Sequence, residues 1–572
     1  MAMTGMSYDE AVAHITTQDP TFAVTKAEVR GVEYTVFANV PPTVPALMAA
    51  SRPAHADGAL LYLAFEDERW TYDAFCDDVA RFAAVLKRDF AVEKGMRVAI
   101  AMQNCPELLI AMMAISQLGG VVTFLNAWWT TEELDYALSD SQAHLVIADG
   151  KRAERLRPLI SRHALTLIGV RDAENSLENR YSNLVSQVKL PEVTPPQIDT
   201  DDDFAIMYSS GTTGHPKGVV QTHRGAVNAV FTWLMQAAML PLMDPPEDPT
   251  AEKPRPSALI VTPLFHVTAT HPTFLLSMPA GAQLTLMRKW DADEAVRLIQ
   301  EHAVTRMLGV PTQSADLMQA ADRLGASLPS LDYLGSGGAK RPAAQVAELQ
   351  NAFPNVSVAT GWGMTETNAN GIGLVGDEYI ARPGCAGRLY PPVQEILFLD
   401  DAGQPVPIGE IGEITVKSPC NMREYLNKPD ATTEVLQDGW LRTGDLGMID
   451  EEGFVTIVDR KKNIIIRGGE NIACLDVEGA LHRHPDIAEA CAFAIPHERL
   501  GEVVGAGVQT KPGASTSAEE LQRFLAAHIA HFKIPERIWF FTDPLPRGAT
   551  DKLDRRGLQS HCLATLKEPP HV

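Results

Sequence analysis

No two of the seven cysteines form a C-x-x-C pair; they stand far apart at Cys76, Cys105, Cys385, Cys420, Cys474, Cys491 and Cys562. An odd, scattered set in a 572-residue chain offers neither a disulfide framework nor zinc-site spacing. Buried thiols in a reducing cytoplasm are the expectation. Basic residues are in deficit, with 49 Lys and Arg against 72 Asp and Glu and a formal charge of −23. That shortage excludes the broad basic face needed for nucleic acid or an anionic membrane. It leaves room only for a local basic patch around a small anion. The N-terminus, MAMTGMSYDEAVAH, lacks a basic segment followed by an apolar one, so no secretory signal is expected. One apolar run tests for a membrane span: Leu108–Leu125 is nearly long enough, but Gln117 and the Gly119-Gly120 break make it a buried helix followed by a strand.

What is present describes a globular chain: 45% hydrophobic and 21% charged residues, at a length that ordinarily divides into domains. Short β-branched runs read as buried strands, at Arg97–Asn104, His144–Asp149, Ala164–Val170 and Ser257–Pro263. They alternate with helical stretches such as TTEELDYALSDS (Thr130–Ser141), whose threonine and acids make a capped start. Such alternation predicts an α/β fold with parallel sheets covered by helices. Two proline-rich stretches interrupt it, Val188–Asp203 as a connection and Pro241–Pro256 as a surface loop. Beyond about residue 400 the texture turns antiparallel, in GEIGEITVKSP (Gly409–Pro419) and in two or three strands over Gly447–Gly469. Helices over Cys474–His484 and Ala518–His531 flank a strand, Ala490–His497. The expected division is 1–459, a large N-terminal domain of stacked β-sheets with covering helices, and 460–572, a small α+β C-terminal domain.

The densest chemistry lies in MYSSGTTGHPKGVVQTH, directly after the strand-like Phe204–Tyr208. Glycines let backbone N–H groups approach an anion; the hydroxyls and Lys217 add donors and charge. It is not the Walker A pattern, in which Ser or Thr follows the lysine, since here Gly218 does. Alone, the stretch is a phosphate cradle with its reaction open.

Four further stretches follow in order: TGWGMTETNANG (Thr360–Gly371), TGD (Thr443–Asp445), VDRKKNIIIRGGENI (Val458–Ile472) and LPRGATDKLDR (Leu545–Arg555). With SSGTTGHPKG they resemble the signature series of the adenylate-forming superfamily: acyl-CoA synthetases, luciferases and peptide-synthetase adenylation domains. The resemblance runs from about Trp70 to Arg556.

That resemblance implies an acid–thiol ligase using ATP, Mg2+ and coenzyme A, with a C-terminal lid domain that is mobile. Ser209, Ser210, Gly211, Thr212, Thr213, Gly214 and Lys217 would wrap the phosphates. Glu366 would bind magnesium, with Thr365 touching phosphate. Trp362 would stack on adenine, with Gly337, Gly338 and Ala339 lining the base and the acyl group. Asp445 would accept the ribose hydroxyls and Arg460 would approach the same ribose. Lys552 would be the catalytic residue of the first step, an ammonium between attacking carboxylate and α-phosphate. Lys462 falls at the hinge and Gly469 at the tunnel for the pantetheine thiol. Asp551 departs from the family, which places glycine before the catalytic lysine.

TPLFHVTATHPTF (Thr262–Phe274) resembles the stretch fronting the acyl pocket, here assigned to His266, Val267, Gly337, Gly363 and Gly371. Amino-acid-activating relatives carry aspartate where His266 stands, so an amino acid is not expected. Small and apolar residues suggest an apolar chain or ring, and medium- or long-chain fatty acids and aryl acids both remain. The alternatives are an adenylating enzyme that loads a separate carrier protein, an NTPase or kinase releasing ADP, and a silent binding relative. The expected partners are the acid, ATP and CoA, with no nucleic acid and no membrane span; a homodimer stays open.

Overall fold

In the computed structural model, residues 5–172, 177–189, 195–209, 216–246, 248, 254–468, 470–548 and 552–565 are described. Two large sheets lie face to face. The first runs, from edge to edge, Glu424–Tyr425, Lys217–Thr222, Asp203–Ser209, Val121–Phe124, Arg97–Ala101, Leu145–Asp149, Thr166–Val170 and Asn179–Arg180. The second runs Arg388–Leu389, Gly371–Val375, Ser357–Gly363, Tyr333–Ser336, Arg306–Gly309, Ser257–Ile260, Gln283–Leu286, Leu61–Phe65 and Glu68–Thr71. Both are parallel at their centres, where the β-branched runs lie; the second is antiparallel at both edges, the first only at its Glu424–Tyr425 edge. This is the α/β architecture that the alternation predicts.

The helix His223–Met243 lies in the core between the sheets, sharing one cluster with Ile260, Leu264, Phe274 and Leu275. Its cap is Thr222, whose side chain accepts the Gly225 N–H. It is long and apolar enough to cross a membrane, but half of that stretch is buried inside the protein. The run Leu108–Leu125 resolves, as expected, into a buried helix Pro106–Gln117 and a strand Val121–Phe124. Thr131–Ser141 is helical with the predicted capping box between Thr130 and Glu133. One reading needs correcting. Pro241 does not start a loop but sits in the last turn of His223–Met243. A proline there removes a single N–H, and the apolar burial upstream already holds the helix.

Beyond the second sheet come antiparallel strands Glu395–Leu399, Gly412–Lys417, Trp440–Ile449 and Val455–Arg460. A separate sheet follows, built from Ile464–Arg467, Glu470–Ala473, Ile487–His497, Gly501–Thr510 and Arg537–Phe541. Helices Cys474–Leu481, Ala518–Ala526 and Arg555–Thr565 complete this smaller part.

Candidate active site

The strand Asp203–Ser209 and its antiparallel neighbour Lys217–Thr222 bring Ser209 opposite Lys217. Ser210, Gly211, Thr212, Thr213 and Gly214 connect them and lie outside the described residues. The two strands bracket the proposed cradle, and Lys217 at its end reaches other elements. Lys217 Nζ lies 4.5 Å from the centre of the Tyr425 ring. The Tyr425 hydroxyl donates to Glu366 Oε1 at 2.9 Å.

Glu366 is held in a tight turn, Thr365–Thr367, braced from both sides. Gln221 donates to the Thr365 carbonyl at 2.8 Å and the Met422 N–H to the Glu366 carbonyl at 2.7 Å. Next to it, Asn368 takes a left-handed conformation with φ 52°. Its amide donates to the Cys420 carbonyl at 2.7 Å, and its Oδ1 lies 3.0 Å from Nε2 of the buried His271. The Glu366 side chain is 6% exposed. Burial pushes its carboxyl above the usual range, against the pull of its own backbone N–H, Tyr425 and Arg460. Among the described residues no cluster of three His, Cys, Asp or Glu could hold a metal ion. A lone anchored carboxylate instead suits Mg2+, which keeps waters and substrate phosphates in its shell.

Asp445 stands on Trp440–Ile449, opposite Arg460 in the ladder. Its Oδ2 accepts the Trp362 indole N–H at 2.8 Å, and Oδ1 lies 3.2 Å from Arg460 Nε. Burial raises this carboxyl too, with Arg460 opposing most strongly and the indole bond next. Trp362, expected only as a platform, thus also aims its edge at the carboxylate. Gly363 and Gly371 differ from the expectation that they line open acyl space. A Cβ on Gly363 would collide with the Ala369 backbone, and one on Gly371 with the Trp362 backbone and ring. Their bare backbones seat the strand pair that carries Trp362.

Lys552 arrives from the smaller part of the molecule. Its Cε and Nζ lie 2.8 Å and 3.1 Å from where a Cβ on Gly338 would stand. Gly338 takes φ 76°, so only glycine leaves both the backbone and the lysine unstrained there. Burial lowers the ammonium to about 8, helped by Arg460 and opposed by Asp445 and Glu366. Lys552, Arg460, Asp445 and Glu366 therefore form one electrostatic unit.

His266 ends the turn after Ser257–Ile260, its ring 4.5 Å from that of Phe265. Its buried Nε2 has no hydrogen-bond partner among the described residues. Burial, then the Lys552 charge, lowers it to about 3, so the imidazole is neutral at neutral pH. Val267 packs into the core beneath it. The Gly337 N–H donates to the Gly309 carbonyl at 3.0 Å, and Ala339 is exposed beyond it. Lys462 lies in the turn Lys461–Asn463, between the last strand of one sheet and the first of the next. Gly469 and Asp551 lie outside the described residues.

Sequence reasoning missed Tyr425. It stands 59 positions beyond Glu366 with no local motif to mark it, and only the sheet edge pairing brings it in. Tyr425→Phe removes one charge-assisted bond to a buried carboxylate, an interaction of about 1.5–3 kcal/mol. The expected result is roughly a tenfold rise in the Mg2+ concentration needed for half-maximal activity. An unchanged Mg2+ dependence would contradict it.

Comparison with known proteins gives a consistent answer. Residues 47–426 match the profile of the AMP-binding enzyme family, and 476–552 that of the AMP-binding enzyme C-terminal domain. A long-chain-fatty-acid–CoA ligase of Bacillus subtilis is 32% identical over 87% of this chain and 90% of its own length. A 2-succinylbenzoate–CoA ligase of Geobacillus is 34% identical over 82% of this chain and 88% of its own. Among solved structures, the o-succinylbenzoate CoA synthetase of Bacillus subtilis with its acyl-adenylate superposes with a TM-score of 0.76 at 28% identity, covering 91% and 98% of the two chains. The ATP-bound MatB of Rhodopseudomonas palustris gives 0.81 at 25% identity over 92% and 100%. With a family profile matched over residues 47–426 and relatives of 32% and 34% identity covering most of its length, the chain belongs to the AMP-binding enzyme family.

Proposed function

We propose that this protein is an AMP-forming carboxylate–CoA ligase in which Lys552 drives the first half-reaction. The observation that carries this is Lys552 seated against Gly338 within electrostatic reach of Asp445 and Glu366. The carboxylate of the acid attacks the α-phosphate of ATP, and pyrophosphate leaves as the acyl-adenylate forms. Two anions must meet, and the Lys552 ammonium offsets the charge that builds between them. Asp445 accepts the ribose hydroxyls while the indole N–H and Arg460 hold it in place. Glu366 would hold Mg2+, which would supply charge neutralisation at the phosphates. The hairpin between Ser209 and Lys217 retains the phosphates that become pyrophosphate.

For the second step the part beyond residue 459, our proposed lid domain, rotates about Lys462 and withdraws Lys552. A contact across the junction, Lys461 to Asp401 at 2.6 Å, is suited to hold the first arrangement. The thiol of CoA enters past Gly469, attacks the acyl carbonyl and displaces AMP. Seven free cysteines, six of them buried, suit a reducing cytoplasm.

The test is to supply ATP, Mg2+, CoA and a panel of carboxylic acids, and to follow AMP, pyrophosphate and thioester. Release of ADP, or failure of every acid to yield AMP, would overturn the proposal; thioester formed only on a carrier protein would favour the carrier-loading alternative. The pH profile adds a second check. Because the Lys552 ammonium sits at about 8 and its charged form is the active one, kcat/KM for adenylation should fall as pH rises through that value. Thioester formation from preformed acyl-adenylate should lack that limb.

A further inference from the structure

One face of the second sheet looks toward the helix His223–Met243. On this face lie Ile260 and its ladder neighbour Leu308, followed across the ladder by Gly335. Alternating residues such as Leu334 and Met307 point the other way, into a separate core. From the reaction centre at Gly337–Gly338, this face descends the strand through Gly335 to Tyr333. Each such step of two residues covers about 7 Å.

The descent is blocked almost at once. The Tyr333 ring folds back over Gly335, placing its Cε1 and hydroxyl 2.7 Å and 2.9 Å from where a Cβ would be. Two strands further along the sheet, the Tyr390 phenol occupies the space above Gly373 in the same manner. Room below the reacting carboxyl is therefore a single two-residue step, enough for one ring or a short chain.

The floor is also rich in unused donors. Arg306 lies over the Tyr333 ring, 4.2 Å from its centre. Among the described residues it has no carboxylate at ion-pair distance; Asp332 feels its charge only from further off. The Tyr390 hydroxyl, within electrostatic reach of Arg306, Tyr333 and Tyr8, has no partner among the described residues. Gln236 accepts from the Tyr8 hydroxyl at 2.9 Å, which leaves its buried Nε2 without a partner. A cation and a hydroxyl thus lie within electrostatic reach of each other and of Tyr8, to which the Gln236 amide is hydrogen-bonded. A plain alkyl tail would bury these donors unpaired, whereas an anionic end group would satisfy them.

We infer that the acyl slot takes a short dicarboxylic acid, whose far carboxylate is received by Arg306, Tyr390 and Gln236. This rests on the ligase reading above and narrows its substrate. A long fatty chain has no path down this face.

The test compares matched pairs with ATP, Mg2+ and CoA, following AMP: adipate against hexanoate and terephthalate against benzoate, with palmitate as the long-chain probe. Diacids should exceed their monoacid partners in kcat/KM by tenfold or more, with palmitate inactive. In Arg306→Met the preference should invert, hexanoate gaining on adipate; Arg306→Lys should restore part of it. Tyr390→Phe, which keeps the ring and its packing, should cut the diacid preference several-fold even if the arginine variants fold poorly. Equal or better use of monoacids, or turnover of palmitate, would overturn this inference and leave the ligase reading standing. Absence of AMP with every acid would overturn both.

Discussion

Lys552→Ala should lose adenylation by roughly a hundred- to thousandfold, the cost of removing one preorganised charge from a transition state. Thioester formation from synthetic acyl-adenylate should survive nearly intact. The asymmetry follows from position. Lys552 reaches the site only from the far end of the chain, against Gly338, where its atoms fill the place a side chain would take. The cation whose charge it feels, Arg460, is engaged with Asp445 at 3.2 Å. Burial and Arg460 hold its ammonium down to about 8, so the charge is costly to keep without a nearby anion. Arrival of phosphate and carboxylate supplies that anion, which makes the interaction strongest when the reacting groups are aligned. Equal loss of both half-reactions would contradict the role.

Asp445→Ala should raise the KM for ATP by roughly a hundredfold, two hydrogen bonds from the ribose to a charged acceptor being worth about 1.5–3 kcal/mol each. Asp445→Asn keeps an acceptor for the Trp362 indole but not the charge, and should fall between. Stability should move the other way. The folded carboxyl is raised above its ordinary value by burial. Its contribution to stability is therefore full below the ordinary carboxylate range and lost as pH rises through the raised value. At neutral pH the charged form opposes folding, so Asp445→Asn should unfold at an equal or higher temperature without ATP. A clear drop in Tm, or an unchanged KM for ATP, would contradict this account.

The fold class was legible because buried parallel strands must be apolar and β-branched, as Arg97–Ala101 and Leu145–Asp149 are. Glu366, Asp445 and Lys552 were legible because each stands in a short stretch whose order repeats across a family. Partners that meet those residues through tertiary packing were not. Tyr425 reaches Glu366 from an edge strand, while Tyr333 lies over Gly335 from its own strand and Tyr390 over Gly373 from just past the edge strand Arg388–Leu389. Nothing in a linear pattern says that a phenol will lie over a glycine two residues along, or across a neighbouring ladder. Pro241 misled for a similar reason, since burial upstream outweighed a local breaker.

The core helix His223–Met243 has a consequence for how the chain is made. Its apolar surface is covered in part by Ile260, Leu264, Phe274, Val393 and Cys420, all synthesised after it. A nascent chain that has emerged only to Met243 carries a helix apolar enough for a bilayer and lacks most of the sheet that shelters it. Until those later strands leave the ribosome, that surface is a binding site for chaperones, for the insertion machinery and for other nascent copies. Translation pauses or truncations within this interval should therefore be met by holdase capture or aggregation, well before the catalytic lysine has been made.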